Sequence, residues 1–551
     1  MGSTPQTAVG SAATPPSTSR ERIWRIEEVG GRELLIAWAL LGLLGLVVFA
    51  PYARDGGFTL DDWSNGVGAL QSGSFFDAIS YFADLTSYRP VLVVYVPITY
   101  ELFGMHMSLH IAWAATIGIA VSCLLFAILR TVGLPRPHAW LVSALVLVFP
   151  WFDSTRLWPT ASQVTLGVAL AFAGIWLALI AFRRRSLLLH AISLLLYATS
   201  ILTYEIALPL LGAAGLLYVL LLGWRAAWRR WVADLVVVFA GAGWAASQTV
   251  REASGLDGNL RHLKDIVIMS GNLMGHAGLP VGPQRTTLVL LVLGAISLLG
   301  LALWLRDRSR SDGRPSPFAR WLGLGAGGIA VAALGWVIFV PADPYYTPSI
   351  YGYTNRVNGL AGVGLVMIVY ATCGIVGTLV GRLARQTRVA TVATLALALA
   401  VGVGYLHAVD RHKQIWTDAF RAELAGIGLL KTALPDLPDG SFVFASGYPM
   451  FQTLGVPIFS TTWDLDGMVK LQYRNQTLGA APLTSGVTIS CAAEGAKLVG
   501  PGGYESNLVP YGLVHFVDVP TGRKAAPRTA AECRRAAPRF RPGPEYLSYD
   551  Y

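Results

Sequence analysis

The chain has 551 residues, 54% hydrophobic and 13% charged, with a net charge of +10. Soluble domains carry roughly 25% charged residues, and a soluble fold of this length cannot bury so much apolar surface, so the excess must face lipid. The positive charge argues against nucleic acid as a partner, because the arginines sit in short loops between apolar runs, as cytoplasmic loops beside anionic lipid do.

In chain order, residues 1–33 read as a disordered basic cytoplasmic tail, rich in Ser, Thr and Pro and then in arginine (Arg20, Arg22, Arg25, Arg32), with no cleavable signal peptide. About 11 runs long enough to span, or close to it, follow: 34–50, 108–129, 139–150, 160–182, 187–203, 206–223, 231–248, 286–305, 321–341, 357–380 and 389–408. The returning loops carry Arg130 and Arg136, Arg183 to Arg185, Arg225 to Arg230, Arg306 to Arg314, and Arg382 to Arg388. This alternation predicts the N-terminus inside and the C-terminus outside. Charged residues mark span ends rather than span centres. The piece at 90–103, broken by Pro97 and Glu101, reads as re-entrant or interfacial within a first outer loop over 51–106.

Residues 34–408 thus form the membrane domain, and 409–551 a C-terminal extracytoplasmic domain. In that domain a helical pattern over 410–434 precedes short β-like runs punctuated by Gly and Pro. The expected fold class is an all-α polytopic plasma-membrane protein with a small α+β domain that leans on the membrane part. Cys123 and Cys373 lie in apolar runs; Cys491 and Cys533 lie in the outer domain, where a disulfide is permitted.

Polar residues that persist at span ends are functional candidates. The first outer loop opens on FTLDDW, where Asp61 and Asp62 either hold a divalent cation such as Mg or Mn, supply a general base, or cap a helix. In SYRPV, Arg89 beside Tyr88 is placed to grip a phosphate or to snorkel to the interface. WFDSTRLWP offers Arg156, which pairs with Asp153 or meets substrate. LTYEIALP places Tyr204 and Glu205 near bilayer depth, where Glu205 holds a basic partner such as Arg89 or contacts substrate.

Further on, LRHLKD contributes His262 and Lys264 as an anion site or a solvated helix face. Asn355 and Arg356 open run ten, where a cation beside free backbone N–H groups makes an anion site or an interfacial anchor. In FSTTWDLDG, Trp463, Asp464 and Asp466 read as an acceptor contact or a surface turn. The nucleotide-loop, zinc-protease, CxxC and serine-nucleophile patterns do not occur. Chemistry on the outer face then needs a substrate already activated in the membrane.

The first span, the acidic Asp61–Asp62 motif after it, the Arg89–Pro90 segment ending near Phe103–Gly104, the many spans and the outer C-terminal domain together resemble the GT-C superfamily of membrane glycosyltransferases, of an actinobacterial type. The resemblance implies a polyprenyl-phosphate sugar as donor, Asp61 or Asp62 as the base, and inverting transfer to a cell-envelope glycan or glycoprotein at the outer face. Arg89 and Arg356 would hold the donor phosphate. A transporter or flippase, a non-enzymatic envelope scaffold, and a ligase using the arginines and His262 are the competing expectations.

Overall fold

The computed structural model describes residues 26–70, 72–248, 255–280, 285–310, 316–342 and 345–548. The first 25 positions of the expected tail, with Arg314 and Asp343, lie outside the described residues. The chain begins with α1 (Gly31–Asp55), α2 (Asp61–Leu70), α3 (Phe75–Thr86), α4 (Pro90–Phe103), α5 (Met107–Thr131) and α6 (Arg136–Leu147). The single turn α7 (Ser154–Leu157) is followed by α8 (Ser162–Arg184), α9 (Leu187–Thr203), α10 (Leu208–Leu222) and α11 (Trp224–Gln248). Then come α12 (Leu256–Gly278), α13 (Thr286–Arg310), α14 (Phe318–Val337), α15 (Ala361–Leu383) and α16 (Thr387–Ala433).

Among the described residues nine helices are long and apolar enough to cross a membrane, against about 11 expected. The two that fall short are α6, with 12 residues, and α9, with 17. Helix α6 stops before Pro150 and is buried along nearly all its length, so its apolar character serves a protein core rather than lipid. The 90–103 piece is the 14-residue α4, with Pro90 at its first position and Pro97 inside it, shorter than a span as expected.

Two other expectations change. Helix α11 starts at Trp224 rather than 231, so the fully buried Asp234 sits ten residues inside it, 3.6 Å from His190 of α9. That pair is an exception to the expectation that charges mark only span ends. The run at 389–408 and the helix at 410–434 are one continuous 47-residue helix, α16, because no proline separates them. At 1.5 Å per residue it is about 70 Å long, more than twice the roughly 30 Å of hydrocarbon, so its far half carries the C-terminal domain clear of the bilayer.

The C-terminal domain contains β1 (Phe442–Ser446), β2 (Phe451–Thr453), β3 (Val456–Pro457), α17 (Thr462–Tyr473), β4 (Gly479–Pro482), β5 (Thr488–Cys491), β6 (Gly495–Val499), β7 (Val509–Pro510), β8 (Val514–Asp518), β9 (Arg523–Ala525) and α18 (Ala530–Ala536). The main sheet has the order β4-β1-β8-β9, with β1 parallel to both neighbours and Phe444 between Ala481 and Phe516. A three-stranded antiparallel sheet, β5-β6-β7, stands beside it, tied to α18 by a disulfide between Cys491 and Cys533. Phe444, Phe516 and Phe540 form a core of the domain's own. Val443, Ala445, Leu465 and Met468 instead join the core that continues into the membrane helices. Part of this small domain's apolar core is therefore shared with the membrane helices, as suits a chain segment too short for a full core of its own.

Candidate functional site

The site starts from one strained residue. Leu60, between the end of α1 and the start of α2, has φ +49°, a left-handed conformation that costs a residue with a Cβ roughly 1–2 kcal/mol. Its side chain is buried, so packing holds it there. The turn it makes starts α2 with two adjacent carboxylates that meet different partners.

Asp62 is fully buried. Its Oδ1 accepts from the Thr160 N–H at 2.8 Å and the Thr160 hydroxyl at 2.5 Å, and its Oδ2 from the Thr59 N–H at 3.0 Å. Burial pushes its pKa up to about 7 against those bonds, with a further push from Asp61. Tyr100 donates to the Asp62 carbonyl at 2.6 Å. Next to it, Thr59 and Trp63 both donate to the buried Glu423 of α16, each at 3.2 Å. Asp62 therefore fastens the start of α2 to the loop before α8.

Asp61 keeps some exposure and accepts at 2.7 Å from the indole N–H of Trp463, a half-exposed side chain at the start of α17. Burial raises its pKa, while the Arg356 charge and the Trp463 bond pull it back down. Its Oδ2 makes no hydrogen bond among the described residues. Helix α17 packs directly on α2: a Cβ on Gly467 would stand 2.7 Å from the backbone of Trp63 and Ser64. A capping box formed by Thr461 and Asp464 starts α17 and aims Trp463 at Asp61.

Two arginines frame the other side and differ in their state. Arg89 makes two hydrogen bonds to Glu205, Nε to Oε2 and Nη2 to Oε1, both at 3.0 Å, and stacks on Tyr204 at 3.8 Å and Tyr88 at 5.0 Å. Of the two readings for Glu205, the structure takes the basic partner. Arg356 has no carboxylate within 4 Å among the described residues. It lies among the rings of Trp158, Tyr345, Tyr346 and Tyr353, at 5.2 to 5.9 Å, and donates to the Tyr353 carbonyl at 3.3 Å. Burial raises the Tyr204 pKa, and the charges of Arg89 and then Arg356 pull it back, as Arg356 does at Asp61. Asp61, Arg356, Tyr204 and Arg89 are thus one electrostatic neighbourhood, built from loops far apart in sequence.

Arg356 lies in a 3-10 turn, Gly352–Asn358, rather than in the first turn of α15, where it was expected. That turn is set by the C-terminal domain. Gly352 has φ +42° and meets the Gly455 carbonyl so closely that no Cβ fits, and the Tyr353 N–H donates to Gly455 at 2.7 Å. The β2–β3 turn thus holds the aromatic loop in place.

Other expected contacts face inward. The Arg156 guanidinium is buried, donates to the carbonyls of Leu147 and Phe149, and lies over Phe152, so it braces the end of α6 rather than meeting substrate or Asp153. Asp153 instead accepts from Asn355 at 3.0 Å and pairs with His412 of α16 at 2.6 Å. The Asn355 oxygen takes both the Ser154 hydroxyl and N–H. Asn355 therefore ties two loops together and is fully buried. His262 is buried, with Nδ1 3.2 Å from the Val340 carbonyl. Lys264 is exposed on α12, the solvated-face reading. Asp464 is the buried cap of α17, and Asp466 pairs with Lys470.

Sequence reading underrated Trp463 and gave no weight to Thr160, Glu423 or His412. One signal was present: Glu423 is an acid inside an otherwise apolar helical face. The partners of Asp62 and Asp61, some 100 and 400 positions away, leave no local trace.

A divalent cation fits this donor set poorly. Three protein donors occupy the Asp62 carboxylate, and no group of three or more His, Cys, Asp or Glu converges among the described residues.

No protein-family description matches the chain, and no curated protein matches it in sequence. The solved structures that it resembles include two with TM-scores below 0.4. One is the oligosaccharyltransferase AglB of the archaeon Archaeoglobus fulgidus in complex with an inhibitory peptide and a dolichol-phosphate, with TM-score 0.39, 13% identity, and coverage of 82% of this chain and 65% of that one. The other is the Archaeoglobus fulgidus oligosaccharyltransferase tethered to an acceptor peptide, with TM-score 0.33, 10% identity, and coverage of 82% and 64%. This chain spans just under two thirds of the length of each.

Proposed function

We propose that the protein is a membrane glycosyltransferase that moves a sugar from a polyprenyl-phosphate donor to an envelope glycan or glycoprotein at the outer face of the membrane. The observation that carries this reading is the pairing of Asp61, a carboxylate of raised pKa with an oxygen left over, with Arg356, a caged guanidinium lacking a carboxylate partner.

In this mechanism Arg356 binds the donor phosphate and stabilises the negative charge it gains as the leaving group. The acceptor hydroxyl attacks the anomeric carbon from the opposite side while Asp61 takes its proton, so the configuration inverts. A raised pKa improves Asp61 as a base while Arg356 keeps it ionised. Trp463 offers the sugar an aromatic face and orients Asp61. Arg89, its charge matched by Glu205, shapes the phosphate side through Tyr204. Asp62 is a positioning residue, and no step is routed through a metal ion.

The Cys491–Cys533 disulfide supports an oxidising location for the C-terminal domain, and hence for Trp463 and the site. The test compares lipid-linked sugars and envelope glycans in cells carrying the wild-type chain, no copy, or Asp61→Asn. Loss of the gene and Asp61→Asn should both accumulate one polyprenyl-phosphate sugar. Full activity of Asp61→Asn would reject the assignment.

A further inference from the structure

A cavity of about 810 Å³ opens at the other end of the membrane domain. It lies where α15 ends, α14 and α16 begin, and α5 turns into α6. Helix α15 starts three residues after the Arg356 turn and runs 23 residues to Leu383, about 34 Å. The cavity is therefore separated from Asp61 by roughly the thickness of a bilayer, on the face where the arginine-rich loops cluster.

Its walls carry Arg320, Arg382, Arg385, Glu27 and His138. Two of these charges are matched: Arg382 pairs with Asp307, and Glu27 with Arg130 at 3.5 Å. Arg320, half-buried on the first turn of α14, and Arg385, held at φ +54° in the turn between α15 and α16, have no ion pair or side-chain hydrogen bond among the described residues. Gln386 and Thr387, also in the wall, start the 47-residue α16, and Gln386 gives no side-chain cap. Two guanidinium groups that make no ion pair, Arg320 in the field of Glu27 and the exposed Arg385, thus line one partly open cavity together with the first residues of a long helix. A guanidinium recognises phosphate by paired hydrogen bonds. Basic pockets between membrane helices on this side bind anionic lipid head groups.

We propose that this cavity is a second anion site, distinct from the Asp61 site, which takes a phosphate ester through Arg320, Arg385 and the start of α16. Its volume exceeds a bare phosphate and suits a head group or a small phosphorylated compound. The proposal does not depend on the transferase reading.

The test uses the full chain in a neutral detergent and follows its thermal unfolding with three probes: short-chain phosphatidylglycerol, short-chain phosphatidylcholine and glycerol 3-phosphate. Phosphatidylglycerol should stabilise the wild type. Arg320→Gln and Arg385→Gln, singly, should each weaken its apparent affinity about tenfold, one charge-assisted contact's worth. Asp61→Asn should leave it unchanged. Stabilisation by phosphatidylglycerol alone assigns a lipid head group; stabilisation by glycerol phosphate as well assigns a soluble phosphate ester. No saturable stabilisation by either, equal stabilisation by the choline lipid, or full retention in both arginine variants would overturn the proposal.

Discussion

Replacing Asp62 by asparagine separates its structural role from the chemistry of Asp61. The Asp62 carboxyl accepts on both oxygens, from Thr160 on one and Thr59 on the other. Asparagine keeps one acceptor and turns an NH2 group toward the other donor. If its oxygen faces Thr160, the buried Thr59 N–H is left without a partner, at a cost of about 1–3 kcal/mol. The pH dependence adds a second signature. The Asp62 pKa rises from 3.8 to about 7 on burial, so the folded chain binds this proton more tightly than the unfolded one. Its contribution to stability is then full below 3.8 and lost as pH rises toward 7. At about 1.4 kcal/mol per pH unit, the loss is on the order of 4 kcal/mol. Asparagine does not titrate. Asp62→Asn should therefore unfold below the wild type at about pH 5, and the gap should close or reverse by about pH 8. Thermal unfolding of the two proteins in detergent across that range measures it. A gap that stays constant with pH, or a variant more stable in acid, would refute the burial and bonding assigned to Asp62.

The two arginines should part company in the same assay. Arg89→Ala strands the mostly buried Glu205 and should cost about 3 kcal/mol, whereas Arg356→Ala should change stability by only about 1 kcal/mol while raising the donor KM. Equal destabilisation would show that Arg356 is a structural anchor. Gly467→Val should force α17 off α2, since its Cβ has no room beside Trp63, and should be seen as faster amide exchange in α2 and loss of transfer. Replacing both Cys491 and Cys533 by serine removes a link across 42 residues and should cost the C-terminal domain about 4 kcal/mol, read as a lower midpoint for that domain alone.

The residue pattern alone determined the membrane class, because apolar runs and arginine-rich loops are local quantities. It also placed Asp61, Arg89, Glu205 and Arg356 among the candidates, because charged groups at the ends of apolar spans stand out in any window. It did not show that α6, only 12 residues long, turns its apolar face to protein instead of lipid, a distinction composition does not carry. It broke α16 in two, because a change from apolar to amphipathic pattern looks like a boundary when the backbone runs straight on. Only the tertiary structure tells the two aspartates apart. Asp61 and Asp62 are neighbours of the same type, and what separates them is Thr160 on one side and Trp463 on the other. Arg89 and Arg356 are likewise distinguished by their partners, Glu205 for one and an aromatic cage for the other. A side chain's charge is written in the sequence, but whether that charge is already matched depends on partners that folding brings from hundreds of positions away.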